Sequence, residues 1–216
     1  MNSQIKSRER VVDHGEVFTS AREVNAMLDL VVNETHRIDS RFLEPACGTG
    51  NFLIEVLNRK LSVVSDRYRK SQIEFERNSV IAVGSIYGVD ILEDNVLHCR
   101  DRLFDAFDAV YSRLYGESCS EECCNSVRFV LSRNILWGNA LTMKTVCGNE
   151  DPIVFSEWSA VNGSMVKRRD YSLSNLLVYQ PMDGPNLFSD MGEQAFIPKP
   201  VKEHPLAHYL KLDPNV

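Results

Sequence analysis

The sequence predicts an α/β protein with a partial, mostly parallel sheet, and three observations carry that expectation. Short apolar runs alternate with long amphipathic ones in the order α-β-α-β-α-β as far as Ala140. The first run, Phe42–Leu43, flows straight into a turn with two glycines, Glu44-Pro45-Ala46-Cys47-Gly48-Thr49-Gly50-Asn51, and the turn opens a helix. The second, Ile86-Tyr87-Gly88-Val89-Asp90, ends in an acid. Strand, glycine turn and helix begin a doubly wound fold, and the alternation implies parallel pairing with right-handed crossovers.

Residues 1–40 read as an N-terminal arm followed by a helix. Ser20 is a helix cap, with Glu23 completing a capping box. Val24, Met27, Leu28 and Val31 then recur at i, i+3, i+4 and i+7, which predicts one amphipathic helix over 21–36. The core, 41–150, continues with helix from Phe52 to Leu61, largely helical sequence to Ser85, and the second strand. A long helix follows from Leu92 to Tyr115, with Val96, Leu97, Cys99, Leu103, Phe104, Phe107, Val110, Tyr111 and Leu114 on its apolar face. A helix from Glu121 to Arg133 leads to the third strand, Asn134 to Ala140. Residues 151–179 read as a β-hairpin, its strands Ile153–Trp158 and Ser164–Tyr171 flanking Asn162-Gly163, a strong hairpin-turn pair. Prolines 181, 185, 198, 200 and 205 make 180–216 an extended tail docked on the domain or on a partner.

Composition narrows the function. Of 216 residues, 44% are hydrophobic and 25% charged, enough for a buried core and too apolar for wholesale disorder. No apolar run approaches the ~18 residues of a membrane helix, and the polar N-terminus lacks a secretory signal's apolar segment, so the expected location is cytoplasmic. Against 24 basic residues stand 30 acidic ones, a net charge of −6, which argues against stand-alone, salt-driven binding of nucleic acid. The six cysteines are expected as free thiols. Cys119, Cys123 and Cys124 beside His98 and Cys99 have no second paired cluster, so no metal is expected.

The turn Glu44 to Phe52 holds most of the chemistry. Its glycines let a ligand approach the backbone closely, and the helix start behind them favours negative charge. No Lys-Ser/Thr follows the glycines, which excludes a nucleoside-triphosphate loop. The acid ahead of the turn suits a ligand ammonium group and would be out of place in a phosphate cradle.

Pro45-Ala46-Cys47-Gly48-Thr49-Gly50-Asn51-Phe52 resembles the S-adenosylmethionine (SAM) motif of the adenine-specific amino DNA methyltransferases. It is most similar to the modification subunits of type I restriction systems and to fused restriction-modification enzymes. Upstream, His14-Gly15-Glu16-Val17-Phe18-Thr19 before a helix resembles that family's N-terminal motif. The resemblance covers roughly residues 10–145. It implies a Rossmann-like methyltransferase fold, SAM as cofactor and DNA as substrate. It also implies roles: Phe18 and Thr19 at the methionine end, Glu44 at the ammonium group, and Gly48 and Gly50 at close backbone approach. Pro45, Ala46, Cys47, Asn51 and Phe52 complete that turn. Asp90 would hold the ribose hydroxyls, Ile91 would flank the adenine, and Asn139 with Ala140 would meet the adenine ring, the amide at its exocyclic amine.

The family's catalytic [DNS]-P-P-[FYW] motif, whose polar groups bind the target amine while its aromatic stacks on the flipped base, has no counterpart here. The chain has eight prolines and no two are adjacent. Asp151-Pro152 and Asp213-Pro214 are the nearest candidates, and each lacks the second proline and the aromatic. No catalytic residue is therefore assigned. The implied picture is a SAM-binding part whose catalytic motif, and target recognition, come from a partner chain docked on the sheet edge. Two alternatives stay open: a stand-alone methyltransferase using Asp151-Pro152, and a SAM-binding regulatory module without activity. Lys167-Arg168-Arg169 reads as a solvated strand end or a phosphate contact, Phe155 and Trp158 as core or partner contacts, and His204 and His208 carry no signal.

Overall fold

The computed structural model describes residues 19–146, 148–177 and 198–214. It opens with α1 (Ala21–Asp29), capped by the predicted box: Ser20 Oγ accepts from Glu23 N at 3.4 Å, and the Glu23 carboxylate accepts from Ser20 N at 3.1 Å. The expected single helix over 21–36 is interrupted. Leu30 is 86% exposed and Val31 and Val32 are also exposed, so no burial supports continuation, and a separate turn, α2 (Val32–Thr35), follows.

Strand β1 (Phe42–Glu44) leads through the glycine turn into α3 (Asn51–Tyr68). Leu53, Val56, Leu57, Lys60, Leu61 and Val64 line its buried side at helical spacing. After α4 (Gln72–Gly84) come β2 (Ile86–Asp90), buried throughout, and α5 (Glu93–Tyr115). A short 3₁₀ turn (Gly116–Ser118) precedes α6 (Glu121–Asn134), which is capped by Ser120 Oγ accepting from Cys123 N at 3.2 Å. Then come β3 (Ile135–Asn139) and a two-residue strand, β4 (Lys144–Thr145).

The first sheet has the order β1-β2-β3-β4. Its first three strands are parallel, as predicted, and β4 adds an unforeseen antiparallel rung. Among the described residues β1 has one neighbour, β2, so its other side is an open edge. Side chains alternate between faces. Ile86 and Ile135 point into the helix layer, whereas Tyr87 and Val89 point the other way, against Ile153, Phe155 and Leu173.

The hairpin forms where expected, as β5 (Val154–Ala160) and β6 (Met165–Ser172), followed by α7 (Leu173–Leu177). The expectation of an extended tail over 180–216 is corrected: Lys202–His208 is a strand, β7, antiparallel to β6 in a three-stranded sheet. Pro205 is tolerated because β7 is an edge strand. Residues 178–197 lie outside the described residues.

Helices α4 and α6 both pack on β5 of the second sheet as well as on β2 of the first. Trp158 of β5 presses on the Gly84 end of α4, where a Cβ would meet the Trp158 Cβ and Cδ1 at 2.9 Å. Asn134 donates to Gly84 O at 3.0 Å and accepts from Ser156 N at 3.2 Å, tying α6 to both layers. Glu76, buried on α4, accepts from Tyr111 and, at 2.8 Å, from the Tyr209 hydroxyl. Lys60, also buried, donates to Ile38 O at 3.1 Å, to Ser40 O and to Ser85 Oγ at 2.6 Å. Burial lowers its pKa to about 7.

Two readings of polar residues are corrected. Arg168 is not a solvated strand end: it is buried and donates to Asp170 through Nε at 2.9 Å and Nη2 at 3.0 Å. His204 carries no sequence signal, yet its Nε2 lies 2.9 Å from Asp170 Oδ2, and Ser156 Oγ donates to Asp170 Oδ1 at 2.7 Å. Phe155 and Trp158 are core residues. Among the described residues no helix is long and apolar enough to cross a membrane.

Candidate functional site

Because β1, β2 and β3 run parallel, their C-terminal ends come out on one side of the sheet. Glu44, Asp90 and Asn139 are therefore neighbours although they lie far apart in the chain. A cavity of about 500 Å³ opens there, within the range of small-molecule sites. It is lined by Thr19, Glu44, Pro45, Ala46, Cys47, Gly48, Asn51, Phe52, Asp90, Ile91, Asn139 and Ala140, all singled out in the sequence. Leu92, Asn95, Gly138 and Leu141 complete the lining. Gly50 stands just behind it as the N-cap of α3. Phe18, with the rest of the motif from His14, lies outside the described residues.

The glycine turn is held from below. Cys47 N donates to Val89 O at 2.9 Å, and Gly50 N donates to Cys47 O at 2.8 Å. Gly50 has φ +88°, and a Cβ on it would lie 2.7 Å from Cys99 Sγ, so both conformation and space require glycine. Hydrogen bonding to Cys99 and burial push the Cys47 thiol pKa up, which makes it a poor nucleophile and a packing element of the turn.

Asp90 is a structural staple as well as a candidate ligand. Its Oδ2 accepts from Gly48 N at 2.8 Å, and its Oδ1 accepts from Leu92 N at 2.9 Å and from Asn95 Nδ2 at 3.3 Å. A carboxylate has about four acceptor positions, and three of these are taken, which leaves capacity for one ligand hydroxyl. Trp137 Nε1 donates to Ile91 O at 3.0 Å, fixing the backbone beside the apolar wall. Asn139 Oδ1 accepts from Leu141 N at 2.9 Å and Thr142 N at 3.4 Å. Two amide donors identify that atom as the oxygen, so Nδ2 is the group left to address a ligand, and it presents a donor. Leu141, 94% exposed, stands at the rim.

Glu44 stands apart electrostatically. It is half-buried, burial raises its pKa, and among the described residues no cation pairs with it. Among the described lining residues there are two carboxylates and no lysine or arginine. Such a site repels phosphate and rewards a cationic ligand, because a positive group recovers the free energy lost in desolvating Glu44.

Sequence reasoning missed Asn95, Leu141 and a residue just outside the cavity, Arg102 of α5. The Arg102 Nη1 donates to Thr49 O at 2.7 Å, to Thr49 Oγ1 at 3.0 Å and to Asn51 Oδ1 at 2.9 Å. Its contacts depend on how α5 crosses the turn, which no local pattern reveals. Asp151-Pro152 lies away from the cavity: Asp151 O accepts from Thr145 N at 2.8 Å and Pro152 bridges Lys144, so the pair fastens β4. Among the described residues no group of three or more His, Cys, Asp or Glu is placed to hold a metal. No family model matches the chain, and no curated protein or solved structure matches it.

Proposed function

We propose that the chain is the SAM-binding component of a DNA adenine methyltransferase of a restriction-modification system, with a partner chain supplying the catalytic motif. The observation that supports this most directly is the cavity at the strand ends, with two carboxylates and no cationic residue in its described lining. SAM carries an ammonium and a sulfonium, whereas the other common adenosyl ligands carry phosphates, which this lining disfavours. The motif resemblance and the Rossmann-like strand order β1-β2-β3 point the same way.

In this reading Glu44 holds the ammonium group, while Gly48 and Gly50 allow the backbone to approach. Thr19 covers the methionine end, Asp90 accepts a ribose hydroxyl through its remaining acceptor position, and Ile91 packs on the adenine. Asn139, with its oxygen committed to the turn, donates through Nδ2 to a ring nitrogen of the adenine instead of meeting the exocyclic amine. SAM supplies an electrophilic methyl group, and the amine of a flipped adenine is its acceptor. Glu44 and Asp90, at neighbouring strand ends, would hold the cofactor at two points. The partner is called for by the open β1 edge and by the partly covered sheet face beside it, where Leu43 is 40% exposed.

Calorimetric titration with SAM tests the cofactor assignment. The chain is expected to bind at micromolar Kd, and Glu44→Gln to weaken binding by about tenfold, ~1.4 kcal/mol. The same substitution removes a half-buried unpaired charge, so it leaves stability at pH 7 unchanged or raised. A chain that prefers ATP to SAM, or an E44Q variant that binds SAM as tightly, overturns the reading. Asp90→Ala is a poorer probe, since it also releases Gly48.

A further inference from the structure

Resting on the cofactor reading above, we propose that Arg102 is a positioning residue for the methionine end of SAM: it fixes the glycine turn and, through Asn51, the arm residue Thr19. Asp90 pins the turn from the sheet side through Gly48 N. Arg102 pins it from the opposite side, with Thr49 O, Thr49 Oγ1 and Asn51 Oδ1 converging on one nitrogen. Because Asn51 Oδ1 faces Arg102, its Nδ2 is turned outward and donates to Thr19 O at 3.2 Å. Arg102, Asn51 and Thr19 thus form one chain of polar contacts from α5 to the arm. It runs beside the part of the cavity that contains Glu44, away from Asn139.

The charge of Arg102 needs an explanation too. A cation beside the start of a helix is unfavourable, and α3 has neither an acidic residue in its first turn nor a side-chain cap. The Thr49 carbonyl and the Asn51 oxygen offset part of that cost. A bound amino-acid carboxylate in the methionine end offsets the rest. The contribution of Arg102 therefore belongs to ligands that carry the amino-acid moiety, and ligands confined to the ribose and adenine gain little from it.

The test compares SAM with 5′-methylthioadenosine, which keeps the adenosine and sulfur but lacks the amino and carboxyl groups. Titrations use the full chain and its Arg102→Ala and Arg102→Lys variants. R102A is expected to lose about tenfold in SAM affinity and less than about twofold in methylthioadenosine affinity. R102K, with three donors on one nitrogen, is expected to recover most of the loss. Equal losses for both ligands, or no loss of SAM affinity, overturn the proposal, and so does an R102K variant no better than R102A. A wild-type chain that binds neither ligand overturns the cofactor reading and this inference with it. Normal wild-type binding with an indifferent R102A overturns this inference alone.

Discussion

The most consequential single residues are two acids with opposite fates, Glu44 half-buried and Asp170 buried. Glu44 is partly desolvated with no cationic partner among the described residues, and burial raises its pKa. Asp170 is also pushed upward by burial, but hydrogen bonds from Arg168, Ser156 and His204 outweigh that and leave its pKa lowered. For a depressed carboxylate the stabilisation is present above its unfolded-state pKa and is lost as pH falls through the folded-state value. Asp170→Asn should cost about 3–5 kcal/mol at neutral pH, because it removes the carboxylate that pairs with the buried Arg168. Urea denaturation at pH 7 and at successively lower pH checks this: the gap between wild type and variant should narrow as Asp170 becomes protonated. A gap that stays constant would show that Asp170 acts through shape alone. At this scale the sequence was legible where chemistry is local. Gly48, Gly50, Glu44 and Asp90 are adjacent to their strand ends and announce themselves. Arg168, His204 and Arg102 do not, since each depends on partners from other elements.

Among the elements, the capping box at Ser20 and the helical stripes of α3 and α5 were readable because they are repeats of short range. The break at Leu30–Val31 was not, since the spacing of Val31 fits a helix and only tertiary exposure denies it burial. Strand β7 was hidden by Pro205 and by the proline-rich sequence ahead of it, and its pairing with β6 is long-range. The join between helix layer and second sheet is tight at Gly84. A methyl group there would meet the Cβ and Cδ1 of Trp158 at 2.9 Å, and the Cβ is anchored to the backbone of β5. Gly84→Ala should therefore destabilise by about 1–3 kcal/mol despite alanine's higher helix propensity. A thermal melt that shows Gly84→Ala unchanged or more stable would mean that β5 can shift away from α4.

For the molecule as a whole, the parallel order of the first three strands was foreseen, and among the described residues β1 has no neighbour on its outer side. Phe42 N donates to Ser85 O at 3.0 Å, on the β2 side. By strand alternation Leu43 turns its N–H and C=O to the open side. Leu43→Pro removes that outward donor without deleting a bond to β2. If the partner adds a strand here, methyl transfer to DNA adenine should be absent from the chain alone and present on coexpression with the adjacent gene product. Leu43→Pro should abolish that activity while SAM binding stays within about twofold of wild type. Transfer of a labelled methyl group to DNA measures all three. Activity of the chain alone would instead make it a self-sufficient enzyme.

The open edge also sets a rule of handedness for any assembly. Two copies of this chain that met along β1 would be related by a two-fold axis, which forces their strands antiparallel. The sheet itself runs parallel from β1 to β3. A strand that continues this direction is then not the β1 of a second copy, so orientation at one three-residue strand separates self-association along β1 from completion by another segment.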